Sequence, residues 1–124
     1  MKLDKDLVRD ILLALENDDE DSFGYKDLSL DDHTQEEVTY HVCILAEGGF
    51  LTAMDLSTLD GYDWRAQRLT YDGHEFLDTI RDGEVWKLTK DTAKKAGVGS
   101  LKLLFEVGKS YGKQKLVEHG LRFG

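Results

Sequence analysis

The sequence predicts an α+β fold in which a helix, a glycine turn, a β-hairpin and another helix follow one another between residues 34 and 80. Three observations predict it. Thr34 and Glu37 form a T-x-x-E capping pattern ahead of an apolar stripe, Val38, Val42 and Leu45, spaced four and three. Gly48 and Gly49 stop that stripe, as residues able to take a left-handed C-cap without a Cβ penalty. Beyond them, residues 50–56 and 65–71 are rich in apolar and β-compatible side chains and flank a turn-forming stretch with Gly61.

In chain order, Asp4 can cap a first helix reaching Asn17, with Leu7, Val8, Ile11, Leu12 and Leu15 on one face. Residues 17–24 form an acidic loop. Leu28 and Leu30 alternate as a brief strand would, so the sheet is expected to have two or three strands. Only Asp31, Asp32 and His33 separate that segment from the capping box, which leaves room for no more than one helical turn. After the hairpin, Thr70 stands where an N-cap belongs, ahead of Phe76, Leu77 and Ile80. Residues 84–96 read as a further helix broken by glycines 97 and 99. Ser100 then opens a last helix whose Leu101, Leu104, Phe105, Gly108 and Tyr111 share a face.

The phrases V-T-Y-H-V-x-x-L-x-x-G-G-F-L and R-L-T-x-x-G-x-x-F-L, in that order, resemble the recognition helix and wing of bacterial winged-helix regulators. The resemblance implies a winged-helix-like core over residues 1–83, with residues 84–124 as a two-helix extension of what is expected to be a single compact domain. It departs from that fold in lacking the helix that ordinarily precedes the recognition helix. Over nearly the whole chain, DLVRDILLALE, EEVTYHVCILAEGGFL, the Asp63–Trp64 pair, RLTYDGHEFLDTIRD and W-K-L-T-K-x-x-A-K-K-A-G resemble one family, domain of unknown function 2513. That family comprises small bacterial and phage-encoded proteins. The resemblance implies no reaction, no cofactor and no catalytic residue.

Composition bounds the function. The chain has 124 residues, no proline, one cysteine and a net charge of −9. No secretory h-region follows Lys2, Asp4, Lys5 and Asp6, and no apolar run approaches the ~18 residues of a membrane span. The lone Cys43 excludes an internal disulfide, so a cytoplasmic location is expected. Charge is polarised: residues 16–37 carry ten acids against one base, Lys26, and residues 85–124 carry nine bases against three acids.

At ~100° per residue the outward face of the helix after Thr34 holds Glu36, Thr39, Tyr40, Cys43 and Glu47. A helix that reads a major groove offers Arg, Lys, Asn or Gln to base edges, whereas this one has neither Lys nor Arg. Phosphate neutralisation supplies most non-specific affinity, so this acidic helix disfavours nucleic acid. The hairpin bases Arg65 and Arg68 and the lysines beyond residue 84 keep an alternative open: a DNA-binding regulator using wing and C-terminal helices. Against it stands the plainer reading, in which Arg68 packs near acids and the lysines form a solvated face.

No catalytic constellation emerges. H-x-x-E-E at residues 33–37 is not a ligand set of known geometry, and His41 reads as a core-edge side chain. His74 reads as helix surface and His119 as part of a fraying end. Cys43 has no base on its own helix to stabilise a thiolate. P-loop, dinucleotide and G-x-S-x-G patterns are lacking. A basic amphipathic final helix is a minor membrane option, and helix packing explains the same pattern.

The expectation is therefore a non-enzymatic protein–protein interaction or regulatory module with no cofactor, no metal site and no membrane partner. Its candidate surface is Glu36, Thr39, Tyr40, Cys43, Trp64, Arg65, Lys94 and Lys95. A homodimer through residues 84–116 is expected, because the apolar face of the last helix needs cover and its charge complements the acidic segment.

Overall fold

The computed structural model describes residues 1–18, 24–97, 100–118 and 120. Asp19, Glu20 and Asp21 of the expected acidic loop, Gly99, His119 and Arg122 lie outside the described residues. The fold is α+β. Among the described residues the elements are α1 (Lys5–Glu16), α2 (Gln35–Glu47), β1 (Leu51–Asp55), β2 (Trp64–Leu69), α3 (Tyr71–Ile80), α4 (Gly83–Lys95) and α5 (Leu101–Glu118). They fall into two compact units, Met1–Glu75 and Phe76–Gly124.

In the first unit the Asp4 carboxylate accepts the Leu7 amide and caps α1. The helix buries Leu7, Val8, Ile11, Leu12 and Leu15 against α2 and β2. Each such apolar side chain contributes about 1.5–3 kcal/mol when fully withdrawn from water. The capping box of α2 is complete: Thr34 Oγ1 accepts the Glu37 amide, and the Glu37 carboxylate accepts from Thr34. Val38, Val42 and Leu45 are buried, as their spacing requires.

Gly48 keeps right-handed angles, and the left-handed residue is Gly49, at φ 82°. The Gly49 amide then reaches the Ala46 carbonyl and the Phe50 amide the Leu45 carbonyl, a Schellman ending that turns the chain into β1. β1 and β2 pair antiparallel, with Leu51 opposite Leu69 and Asp55 opposite Trp64. A register shift after Thr52 bulges the ladder.

Among the described residues the sheet has two strands. The brief third strand expected at residues 25–30 is not formed: the segment lends it one backbone bond, from the Lys26 amide to the Ala66 carbonyl at 2.7 Å. The chain then turns at Asp31 and Asp32, the latter at φ 67°, and this short turn stands where a further helix could have been. Thr70 Oγ1 accepts the Gly73 amide and opens α3.

In the second unit, Asp82 caps α4 through the amides of Glu84 and Val85 and pairs with Lys115. α4 packs on α5. Gly108 lets α5 approach the end of α3: a Cβ there would lie 2.7 Å from Thr79 Cγ2. Phe105 stacks on Phe76 at 5.4 Å, and the Tyr111 and Thr92 hydroxyls share a 2.7 Å hydrogen bond. Leu104 is fully buried. The apolar face thought to need an outside cover is thus covered within this unit. What α5 leaves exposed is Leu103, Leu116 and Val117. Among the described residues, no helix is long and apolar enough to cross a membrane.

Candidate functional site

The hairpin continues past its ladder. The Leu56 amide donates to the Asp63 carbonyl at 2.7 Å, and the Asp63 amide to Ser57 Oγ at 2.9 Å. Thr58 and Gly61 then exchange both backbone bonds, leaving Leu59 and Asp60 as a two-residue tip. Leu59 and Tyr62 are almost wholly exposed, at 108% and 87%, at a place where turn chemistry alone would favour polar residues.

Between this hairpin and the outward side of α2 lies a concavity of about 820 Å³. From α2 it is lined by Glu36, Thr39, Tyr40, Cys43, Ile44 and Glu47. Asp55, Asp60, Gly61, Tyr62 and Trp64 line it from the hairpin, and Met1 completes the wall. Four of the lining residues are acidic, three are aromatic, and neither lysine nor arginine is among them. The Ser57 hydroxyl and amide beside Asp55 hold its carboxyl below the usual range, so it is ionised near neutral pH.

The structure brings Glu36, Thr39, Tyr40, Cys43 and Trp64 together here, with one change of role. Thr39 does not face outward: it is buried, at 7% exposure. It lies only one ~100° step from Val38, at the flank of the stripe, and so forms part of the floor. Burial, followed by the neighbouring Glu47 carboxylate 3.7 Å away, pushes the Cys43 thiol above its ordinary value. That makes it a weak nucleophile.

Arg65 goes elsewhere. It bonds the Asp63 carboxylate at 3.2 Å and lies 5.4 Å over the Tyr25 ring, beside a small cleft next to Lys26 and Gln35. Lys94 and Lys95 sit exposed in the last turn of α4, in the second unit, where their charge suits the helix dipole. The sequence reading left Asp55, Asp60 and Tyr62 out of the site. The signal available for them was the apolar pair Leu59 and Tyr62 inside a turn.

The described histidines are engaged or exposed. His33 Nδ1 meets the Glu37 carboxylate at 3.2 Å. His41, buried, uses both ring nitrogens, on the Glu37 carbonyl and the Asp4 amide. His74 is exposed on α3. Among the described residues, no group of three His, Cys, Asp or Glu side chains could hold a metal ion.

A family model described as "Hypothetical protein (DUF2513)" matches residues 2–99, a span that includes every lining residue of the concavity except Met1 and ends before α5. A curated relative from Haemophilus influenzae (strain ATCC 51907 / DSM 11121 / KW20 / Rd), named "Uncharacterized protein", is 38% identical over 94 residues. The alignment covers 76% of this chain and 80% of the relative. No solved structure matches the chain.

Proposed function

The chain belongs to the DUF2513 family of hypothetical proteins, and from that premise we propose that it is a non-enzymatic, cytoplasmic docking module of winged-helix-like design that binds another protein. The observation that carries this reading is the lining of the concavity: carboxylates and aromatic rings without a single lysine or arginine. In a DNA-reading winged helix the same face, helix plus wing, would meet phosphates and would need cations. Here Arg65 is tied to Asp63 and Tyr25, and the hairpin tip presents Leu59, Asp60 and Tyr62.

The non-enzymatic part of the reading is supported by the raised Cys43 thiol and by the double engagement of His41. The single free cysteine supports a reducing compartment. A homodimer through residues 84–116 would have to use the exposed Leu88, Leu103 and Leu116, since Leu104 is buried.

The test is site-specific cross-linking in cells. A photo-reactive phenylalanine analogue replacing Tyr62 should yield protein adducts that Glu47→Lys suppresses. Nucleic-acid adducts from that position, or adducts only from an analogue replacing Lys94, would instead support the DNA-binding alternative.

A further inference from the structure

Resting on the docking reading above, we propose that the concavity between α2 and the hairpin takes a cationic segment of another protein, in which arginine or lysine side chains alternate with apolar ones. Three features of the lining converge on that chemistry. The first is charge. Glu36, Glu47, Asp55 and Asp60 all border the space, and an anionic segment would bring like charges together in a partly desolvated site. Among the described residues, Glu36 and Asp60 hold no ion pair of their own, so both carboxylates remain available to an incoming cation.

The second feature is the aromatic surface of Tyr40, Tyr62 and Trp64. A guanidinium or ammonium group within about 6 Å of a ring face is attracted by its quadrupole. The chain already uses this pairing internally, with Arg65 over Tyr25 at 5.4 Å and Lys109 over Phe105 at 4.2 Å. In the concavity the rings and carboxylates are present and the lining supplies no lysine or arginine.

The third feature is apolar surface and size. Ile44 lies in the wall, and Met54, Leu59 and Tyr62 are exposed on the hairpin. A volume of about 820 Å³ exceeds what one cationic side chain fills and falls within the range of roughly 300–1,000 Å³ typical of ligand sites. Several side chains of one extended or helical segment would occupy it.

Fluorescence polarisation with the full chain and short labelled synthetic peptides decides the matter. The probes are alternating Arg/Leu, Ser/Leu and Glu/Leu peptides, with a DNA duplex alongside. Only the Arg/Leu peptide should bind, and added salt should weaken it. The combination Glu36→Gln, Glu47→Gln and Asp60→Asn should weaken binding about tenfold, as loss of several modest ion pairs requires. Tyr62→Ala should cost about tenfold as well, as loss of an aromatic contact does. Both sets of changes fall on exposed positions and leave the fold intact, and Lys94→Gln should change nothing.

Equal binding of the Ser/Leu and Arg/Leu peptides would overturn the cation assignment while leaving the docking reading in place. Arg/Leu binding indifferent to Tyr62→Ala would reduce the effect to bulk attraction by an acidic chain and overturn the site. Failure of every peptide to bind overturns the inference alone, because Tyr62 cross-linking still judges the docking reading. Binding of the duplex with no peptide bound overturns both. Self-association in sedimentation that the triple substitution abolishes would assign the concavity to a second copy, whose α5 exposes Lys102, Lys109 and Lys113, and would likewise overturn it.

Discussion

The backbone amide of Asp4 donates to Nε2 of His41 at 2.8 Å, joining residues 37 positions apart in sequence. His41 Nδ1 donates in turn to the Glu37 carbonyl at 2.7 Å, which fixes the tautomer that leaves Nε2 as an acceptor. The first residue ahead of α1 is thereby held to the middle of α2, and its own carboxylate caps α1. His41→Phe keeps the ring volume and removes the acceptor. It should lower stability by about 1–3 kcal/mol, the cost of stranding a shielded donor. Thermal unfolding checks the magnitude, and faster hydrogen exchange at the Asp4 amide checks the cause.

Two glycine substitutions should act in opposite directions. At Gly73, in the first turn of α3, an added Cβ would overlap the Phe50 carbonyl oxygen and sit 2.9 Å from its carbon, both backbone atoms. Gly73→Ala should therefore destabilise by about 1–3 kcal/mol or more, since backbone must move. Gly112 is helical in α5 with open space where its Cβ would be, so Gly112→Ala should stabilise by about 0.5–1 kcal/mol. Denaturant midpoints that move the same way in both variants would contradict the pair of assignments.

His33 and Glu37 should titrate as partners. The hydrogen bond that the Glu37 carboxylate accepts raises His33 above its ordinary 6.5, and the same bond holds Glu37 below its ordinary 4.5. The His33 part of the stabilisation is complete below pH 6.5 and fades as pH rises through the raised value. The Glu37 part is complete above pH 4.5 and is lost as pH falls through the lowered one. Between the two ordinary values the pair contributes most. Glu37→Gln preserves the capping box and removes the charge. By NMR titration it should return the His33 midpoint toward 6.5 while α2 stays folded.

Leu104→Asp should unfold the second unit rather than dissociate an assembly, because Leu104 is completely buried in α5. A buried unpaired carboxylate belongs among the most disruptive single changes, about 4 kcal/mol or more. Leu103→Asp, on the exposed side of the same helix, should leave circular dichroism unchanged. Soluble, native-like Leu104→Asp protein with an altered sedimentation coefficient would contradict this and point to a subunit contact through α5.

Duplex DNA of random sequence should not bind at ~150 mM salt, near physiological ionic strength. The lining of four acidic residues faces the space where a groove-reading helix would meet phosphate. Micromolar affinity weakened by Arg65→Ala or by combined Lys94→Ala and Lys95→Ala would contradict this.

The order of elements is legible in the sequence because local signals and packing agree. Thr34 with Glu37, the glycines 48 and 49, and Thr70 each set an end that burial of Val42, Leu45 and Leu69 then supports. The third strand is not legible, because Leu28 and Leu30 carry the alternation without the pairing partner that a strand needs. Half of the candidate surface can be read from the α2 helical wheel. On the hairpin side only Trp64 is legible, since where Asp55, Asp60 and Tyr62 fall depends on how the loop closes. Thr39 shows the limit of a wheel: one step from the stripe is an edge, and the neighbouring structure decides whether an edge is wet.

The closure of the hairpin tip separates two kinds of residue. Thr58 and Gly61 secure the turn through main-chain atoms, whichever side chains stand at 59 and 60, and the ladder below is fixed by Leu51 and Leu69. Leu59, Asp60 and Tyr62, all exposed, can therefore change with almost no penalty to folding. The frame is held by backbone pairing and its fingertip is interchangeable, so under the docking reading proposed above a changed tip would suit one architecture to a different molecule.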